Sequence, residues 1–113
     1  MLTADYIRLR HLLDAARKAI AFMHGRTLTD LESDEMRALT VIQLLQIAGE
    51  AAKRVSDETR ARYPSVPWRQ VAGTRDRLIH GYFEVDLELV WSIVSQDLPE
   101  LVAQIEAILA KEQ

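Results

Sequence analysis

The chain has 113 residues, the size of one ordinary domain covering residues 1–113, with no room for a second core. Hydrophobic residues make up 49% and charged residues 27%, which excludes a disordered chain. The absence of cysteine excludes disulfides, thiolate zinc sites and cysteine nucleophiles, and a net charge of −3 argues against a general nucleic-acid binder.

The first helix is predicted over Thr3 to His24. Tyr6, Leu9, Leu13, Ala16, Ile20 and Met23 recur at steps of three and four, which makes one buried stripe. Thr3 is placed to cap its start and Gly25 to end it in the left-handed conformation. A polar turn from Arg26 to Asp34 follows. The second helix is expected from Asp34 to Ser56, with Ala38, Val41, Leu45, Ala48, Ala52 and Val55 on one stripe and Leu44, Ile47 and Ala51 beside it. Two adjoining stripes imply several packing partners. Tyr63-Pro64 and Val66-Pro67 break the chain. Pro67 then suits the first turn of a third helix, to His80, with a soft spot at Gly73-Thr74 and a stop at Gly81. Asp86 is an N-cap for the next helix, whose apolar face is Leu89, Val90, Ile93 and Val94. Pro99 opens a last segment carrying Leu101, Ile105 and Ile108 inward. The expected architecture is all-α, an up-and-down bundle of four to five helices.

Nothing in this pattern points to a membrane. The longest apolar run, Ala19 to Met23, is far too short to span one. Asp5, Arg8, Arg10 and Asp14 do not read as a signal peptide, so a cytoplasmic protein is expected. Charge is distributed unevenly. Lys53 to Arg77 holds seven basic and three acidic residues, net +4, whereas Glu84 onward holds seven acids and Lys111, net −6. A basic middle and an acidic tail fit either solvated faces or an anion site.

His11 and His24 lack a carboxylate or a second histidine at metal-ligand spacing, and no metal site is expected. The segment from Thr74 to Phe83 is denser, with Arg75, Asp76, Arg77, His80 and Tyr82 near a helix end. On a continuous helix Arg75 and His80 lie roughly 140° apart and about 7.5 Å along the axis, so they do not share a face. Asp76 and His80, at i and i+4, do, which lets Asp76 orient the imidazole or raise its pKa. Arg75 then meets His80 by curling around the helix, or meets the His80 of a second copy across a two-fold axis. The pair suits RNA cleavage without a metal. Imidazole can move the protons of the 2′-OH and the leaving 5′-oxygen, while a guanidinium holds the phosphate. Favourable interaction with the helix dipole accounts for the same two residues without any function.

The string Arg75-x-x-x-x-His80-Gly81-Tyr82 resembles the R-x-x-x-x-H-x-Y signature of the HepT-like toxins of the HEPN superfamily. Ile47-Ala48-Gly49-Glu50-Ala51-Ala52-Lys53, Val66-Pro67-Trp68-Arg69 and Tyr82-Phe83-Glu84-Val85-Asp86 with Val90-Trp91 resemble that family's other segments. Ala48 is a departure, far from the motif. The resemblance covers about Asp5 to Leu109. It implies a homodimeric endoribonuclease without cofactor or metal, in which Arg75, Asp76 and His80 form the catalytic site. It also implies an MntA-like nucleotidyltransferase antitoxin that transfers AMP to Tyr82, and RNA, either tRNA or mRNA, as substrate. Lys53, Arg54 and Arg77 are candidate RNA contacts, with surface charge as their other reading. Trp68 and Trp91 are expected in the core. A non-catalytic helical binding partner of a minimal nucleotidyltransferase is the alternative function, and a purely structural helical dimer the third.

Overall fold

A computed structural model describes residues 1–80 and 84–112, and of His80 the backbone. The expected stop at Gly81 and the acceptor Tyr82 lie outside the described residues. Helix α1 (Thr3–Phe22) buries Leu9, Leu13 and Ala16 as its periodicity requires. Thr3 is already the first helical residue; Leu2 occupies the cap position without a side-chain hydrogen bond. Gly25 has φ +72°, the left-handed geometry expected after a helix end. The predicted polar turn contains a short helix, α2 (Leu28–Ser33). The Thr27 N–H donates to Asp30 Oδ2 at 2.7 Å, closing a capping box and holding the Asp30 carboxyl below its usual range.

Helix α3 (Glu35–Lys53) starts at Asp34, whose side chain accepts from the Arg37 N–H. Its main stripe is fully buried, while the adjoining stripe divides: Ala51 is buried, Leu44 half-buried and Ile47 exposed. Helix α4 (Asp57–Arg62) is tied to α1 through a buried carboxylate. Asp5 accepts from the Ser56 N–H at 3.0 Å, the Ser56 hydroxyl at 2.5 Å and the Thr59 hydroxyl at 2.6 Å. Burial pushes its carboxyl up, yet these donors together hold it below the usual value.

Pro67 caps helix α5 (Trp68–Ala72) instead of entering its first turn. Trp68 is buried, and its indole N–H donates to the Tyr63 carbonyl at 2.9 Å. The predicted third helix divides at Gly73, and α6 (Thr74–Leu78) follows. It stops two residues short of His80. Ile79 is extended, at φ −103° and ψ 114°, and β1 (Ile79–His80) pairs antiparallel with β2 (Glu84–Val85), Ile79 opposite Val85 and His80 opposite Glu84. The Asp86 N–H also donates to the Leu78 carbonyl at 2.8 Å. These bonds across the hairpin replace the helical ladder. The expected Asp76–His80 alignment on one helix face, and the angular argument from Arg75, therefore do not apply.

Asp86 caps α7 (Leu87–Ser92), accepting from the Leu89 N–H. A π-helical turn (Ile93–Asp97) joins it to α8 (Leu98–Lys111). Pro99 has no N–H for the Ser95 carbonyl, and the ladder widens just before it: the Leu98 N–H bonds the Ile93 carbonyl. The result is an all-α bundle in which α1 packs on α3 and α8, and α5 and α6 pack on α3. Trp91 is half-buried against the core. Among the described residues, no helix is long and apolar enough to cross a membrane.

Candidate active site

The site is built where α3 comes unusually close to the α5–α6 turn. Gly49 makes this approach possible. A Cβ there would lie 2.8 Å from the Val71 carbonyl oxygen and 3.4 Å from Thr74 Cβ. The same carbonyl accepts the hydroxyl of buried Thr74 at 2.6 Å. This bond braces the break at Gly73 and orients α6 against α3.

A cleft of about 250 Å³ opens along this contact. Its wall from α3 is Gln43, Gln46, Ile47, Gly49 and Glu50, and its opposite wall is Ala72 and Arg75. Arg75 is exposed and makes no ion pair among the described residues. A free guanidinium at the lip of a cleft with two amides on the facing wall can take a phosphate bidentately. Asp76 is exposed beside it in the first turn of α6. His80 follows on β1, so the short hairpin, not a helix face, positions its backbone.

The remaining candidates separate. Arg77 follows Arg75 by two residues, roughly 160° around a helix. It lines a different cleft, between α6 and the π turn. Arg54 is exposed and paired with Glu50 at 3.5 Å, so one ion pair links it to the Arg75 cleft. Lys53 is exposed at the end of α3 and does not line that cleft. The motif residues do not point to Gln43 and Gln46, which the structure adds to the site. Their spacing with Ile47 and Glu50 puts all four on one helical face. Spacing alone does not show that this face borders Arg75.

The face continues beyond the cleft. Met36, Leu39 and Ile47 are exposed along α3, Met36 by 81%. At the start of this run Arg37 lies over the Phe22 ring, 4.8 Å from its centroid.

The family model described as "Ribonuclease HepT-like" matches residues 12–108. A relative from Caldanaerobacter subterraneus subsp. tengcongensis, whose name gives RNase as a provisional assignment, is 35% identical over 105 residues, 93% of this chain and 94% of its own. The "Probable ribonuclease HepT" of Thermococcus cleftensis is 38% identical over 104 residues, 92% and 93% of the two chains. A provisionally named RNase of Methanocaldococcus jannaschii is 33% identical over 100 residues, 88% and 92%. No solved structure matches the chain.

Proposed function

The chain belongs to the ribonuclease HepT-like family, and from that premise we propose that it is a metal-independent endoribonuclease with Arg75 and His80 at its centre. The observation that carries this reading is the exposed Arg75 at the lip of the α3–α6 cleft, which makes no ion pair among the described residues. Arg75 holds the scissile phosphate and neutralises the charge that grows on its oxygens. The 2′-oxygen attacks phosphorus as its proton passes to a His80 imidazole. The P–O5′ bond breaks and the 5′-oxygen takes a proton from a second, protonated imidazole. A 2′,3′-cyclic phosphate and a free 5′-hydroxyl are left.

Each chain carries one His80, so a second His80 imidazole comes from a second copy of the chain. The exposed apolar run of Met36, Leu39 and Ile47 ends at the Arg75 cleft, which supports a second copy seated on α3. Asp76, beside Arg75 and no longer aligned with His80 on a helix, belongs to this reading as a polar neighbour of the bound phosphate. Arg54 and Lys53 extend the basic surface along which flanking phosphates run.

The biological role we infer is that of a cytoplasmic toxin, acting on tRNA or mRNA and held by a nucleotidyltransferase antitoxin. AMP esterified to Tyr82 adds negative charge and bulk beside the cleavage motif; this role rests on the sequence resemblance. The test is RNA cleavage by the purified protein, without AMP on Tyr82, with and without a chelator. Cleavage that survives chelation, leaves cyclic phosphate ends and is lost in Arg75→Ala and His80→Ala is expected. RNA left intact by a protein that still binds the nucleotidyltransferase overturns the enzyme in favour of a binding module.

A further inference from the structure

A second cleft lies on the other side of α6 from Arg75, and no step of the cleavage reaction uses it. It holds about 240 Å³. Leu45, Ala48, Ile93 and Leu101 contribute its apolar lining. Three charged groups join that lining: Arg77 from α6, Asp97 from the π turn and Glu100 from the first turn of α8. The π turn belongs to the wall itself, since Ile93 and Asp97 are its first and last residues.

These opposite charges share one cleft without pairing. No ion pair or side-chain hydrogen bond joins Arg77, Asp97 or Glu100 to any of the described residues. The geometry invites a ligand with a flat apolar body, an acceptor edge for the guanidinium and a donor edge for a carboxylate. Among the nucleobases guanine meets all three demands. Its O6 and N7 accept from an arginine fork. Its N1–H and N2 amine donate to a carboxylate, and its rings cover apolar side chains.

We propose that the cleft between α6, the π turn and α8 binds a guanine base. The base comes from a free guanine nucleoside or from one nucleotide of the RNA; the second source rests on the ribonuclease reading. In that case α6 lies between two subsites, with the phosphate at Arg75 on one side and an unstacked base at Arg77 on the other. A helix with its side chains is about 10–12 Å across, a span that a few nucleotides of single strand can bridge.

Guanosine, which carries no phosphate for Arg75, is the probe. Calorimetric titration into the full-length protein should show binding. Inosine, which lacks the N2 amine, should bind about tenfold more weakly. The double variant Asp97→Asn, Glu100→Gln and, separately, Arg77→Gln should each weaken guanosine by about tenfold or more, with unchanged far-ultraviolet circular dichroism. Absence of guanosine binding, or binding indifferent to all three substitutions, overturns the proposal. Oligonucleotides that differ only in guanosine position separate the sources. Cleavage sites that track guanosine, and lose that register in the double variant, identify the RNA base. Sites that ignore guanosine while the nucleoside binds identify the free ligand. A protein that cleaves RNA but ignores guanosine loses this proposal alone; one that binds guanosine but spares RNA loses the ribonuclease reading alone.

Discussion

Replacing Gly49 by alanine tests the contact on which the Arg75 cleft is built. In an exposed helix interior the change stabilises by about 1 kcal/mol, because alanine has the higher helix propensity. Here the new Cβ falls 2.8 Å from the Val71 carbonyl oxygen, roughly 0.6 Å inside ordinary contact. Backbone cannot swing away as a flexible side chain can, so α3 and the α5–α6 unit must part. Overpacking of this kind costs about 1–3 kcal/mol. Displacing Val71 also strains its hydrogen bond from the Thr74 hydroxyl, worth about 1 kcal/mol. The expected balance is a loss of about 1–3 kcal/mol. Urea unfolding measures it, and RNA cleavage follows the accompanying shift of Arg75, which should lower the rate by about tenfold or more, as small misplacements at a reacting centre do. A variant about 1 kcal/mol more stable than the parent, with undiminished cleavage, would refute the close approach.

Gly25→Ala provides the contrast. A Cβ at this position would meet no atom within 4 Å, but φ is +72°, so about 1 kcal/mol is lost to backbone strain alone, measurable as a lower urea midpoint without any effect on cleavage. Asp5→Ala strands the Ser56 N–H and two hydroxyls inside the fold and should cost about 2–4 kcal/mol in the same assay. Because the folded Asp5 carboxyl sits below its unfolded value, its contribution is complete above an unfolded pKa of about 3.9 and fades as the pH falls through the lower folded value. The stability gap between parent and Asp5→Asn should therefore narrow on acidification below about pH 4, and a gap that widens there refutes the assignment. Charging the exposed face of α3 with Met36→Glu and Ile47→Glu should shift the sedimenting species to monomer and abolish cleavage while the melting of the isolated chain changes little. A cleaving monomer contradicts the two-copy site.

Much of the bundle is legible in the sequence because helical periodicity is a local property. The stripes of α1 and α3, the cap at Asp86, the break at Gly73 and the left-handed Gly25 all follow from side chains within a turn or two of one another. Helices α2 and α4, six residues each, escape that reading. They are too short to show a period, and depend on Thr27–Asp30 capping and on Asp5 reaching across from α1. Arg75 is recognisable from its motif, whereas the facing Gln43 and Gln46 are not, since nothing local relates α3 to α6.

What the amino-acid order determined by itself, then, was the set of long helices, their buried faces and the family motif. Where α6 ends was a tertiary decision. Leu78 and Ile79 could have continued the helix, but their backbone groups meet Asp86 and Val85 across a hairpin, and backbone pairing of this kind leaves no mark on the helical period of the side chains. The same holds for the two clefts. Arg75 and Arg77 are nearly adjacent in the chain, and only the placement of α3 on one side and of the π turn on the other gives each guanidinium a different surrounding.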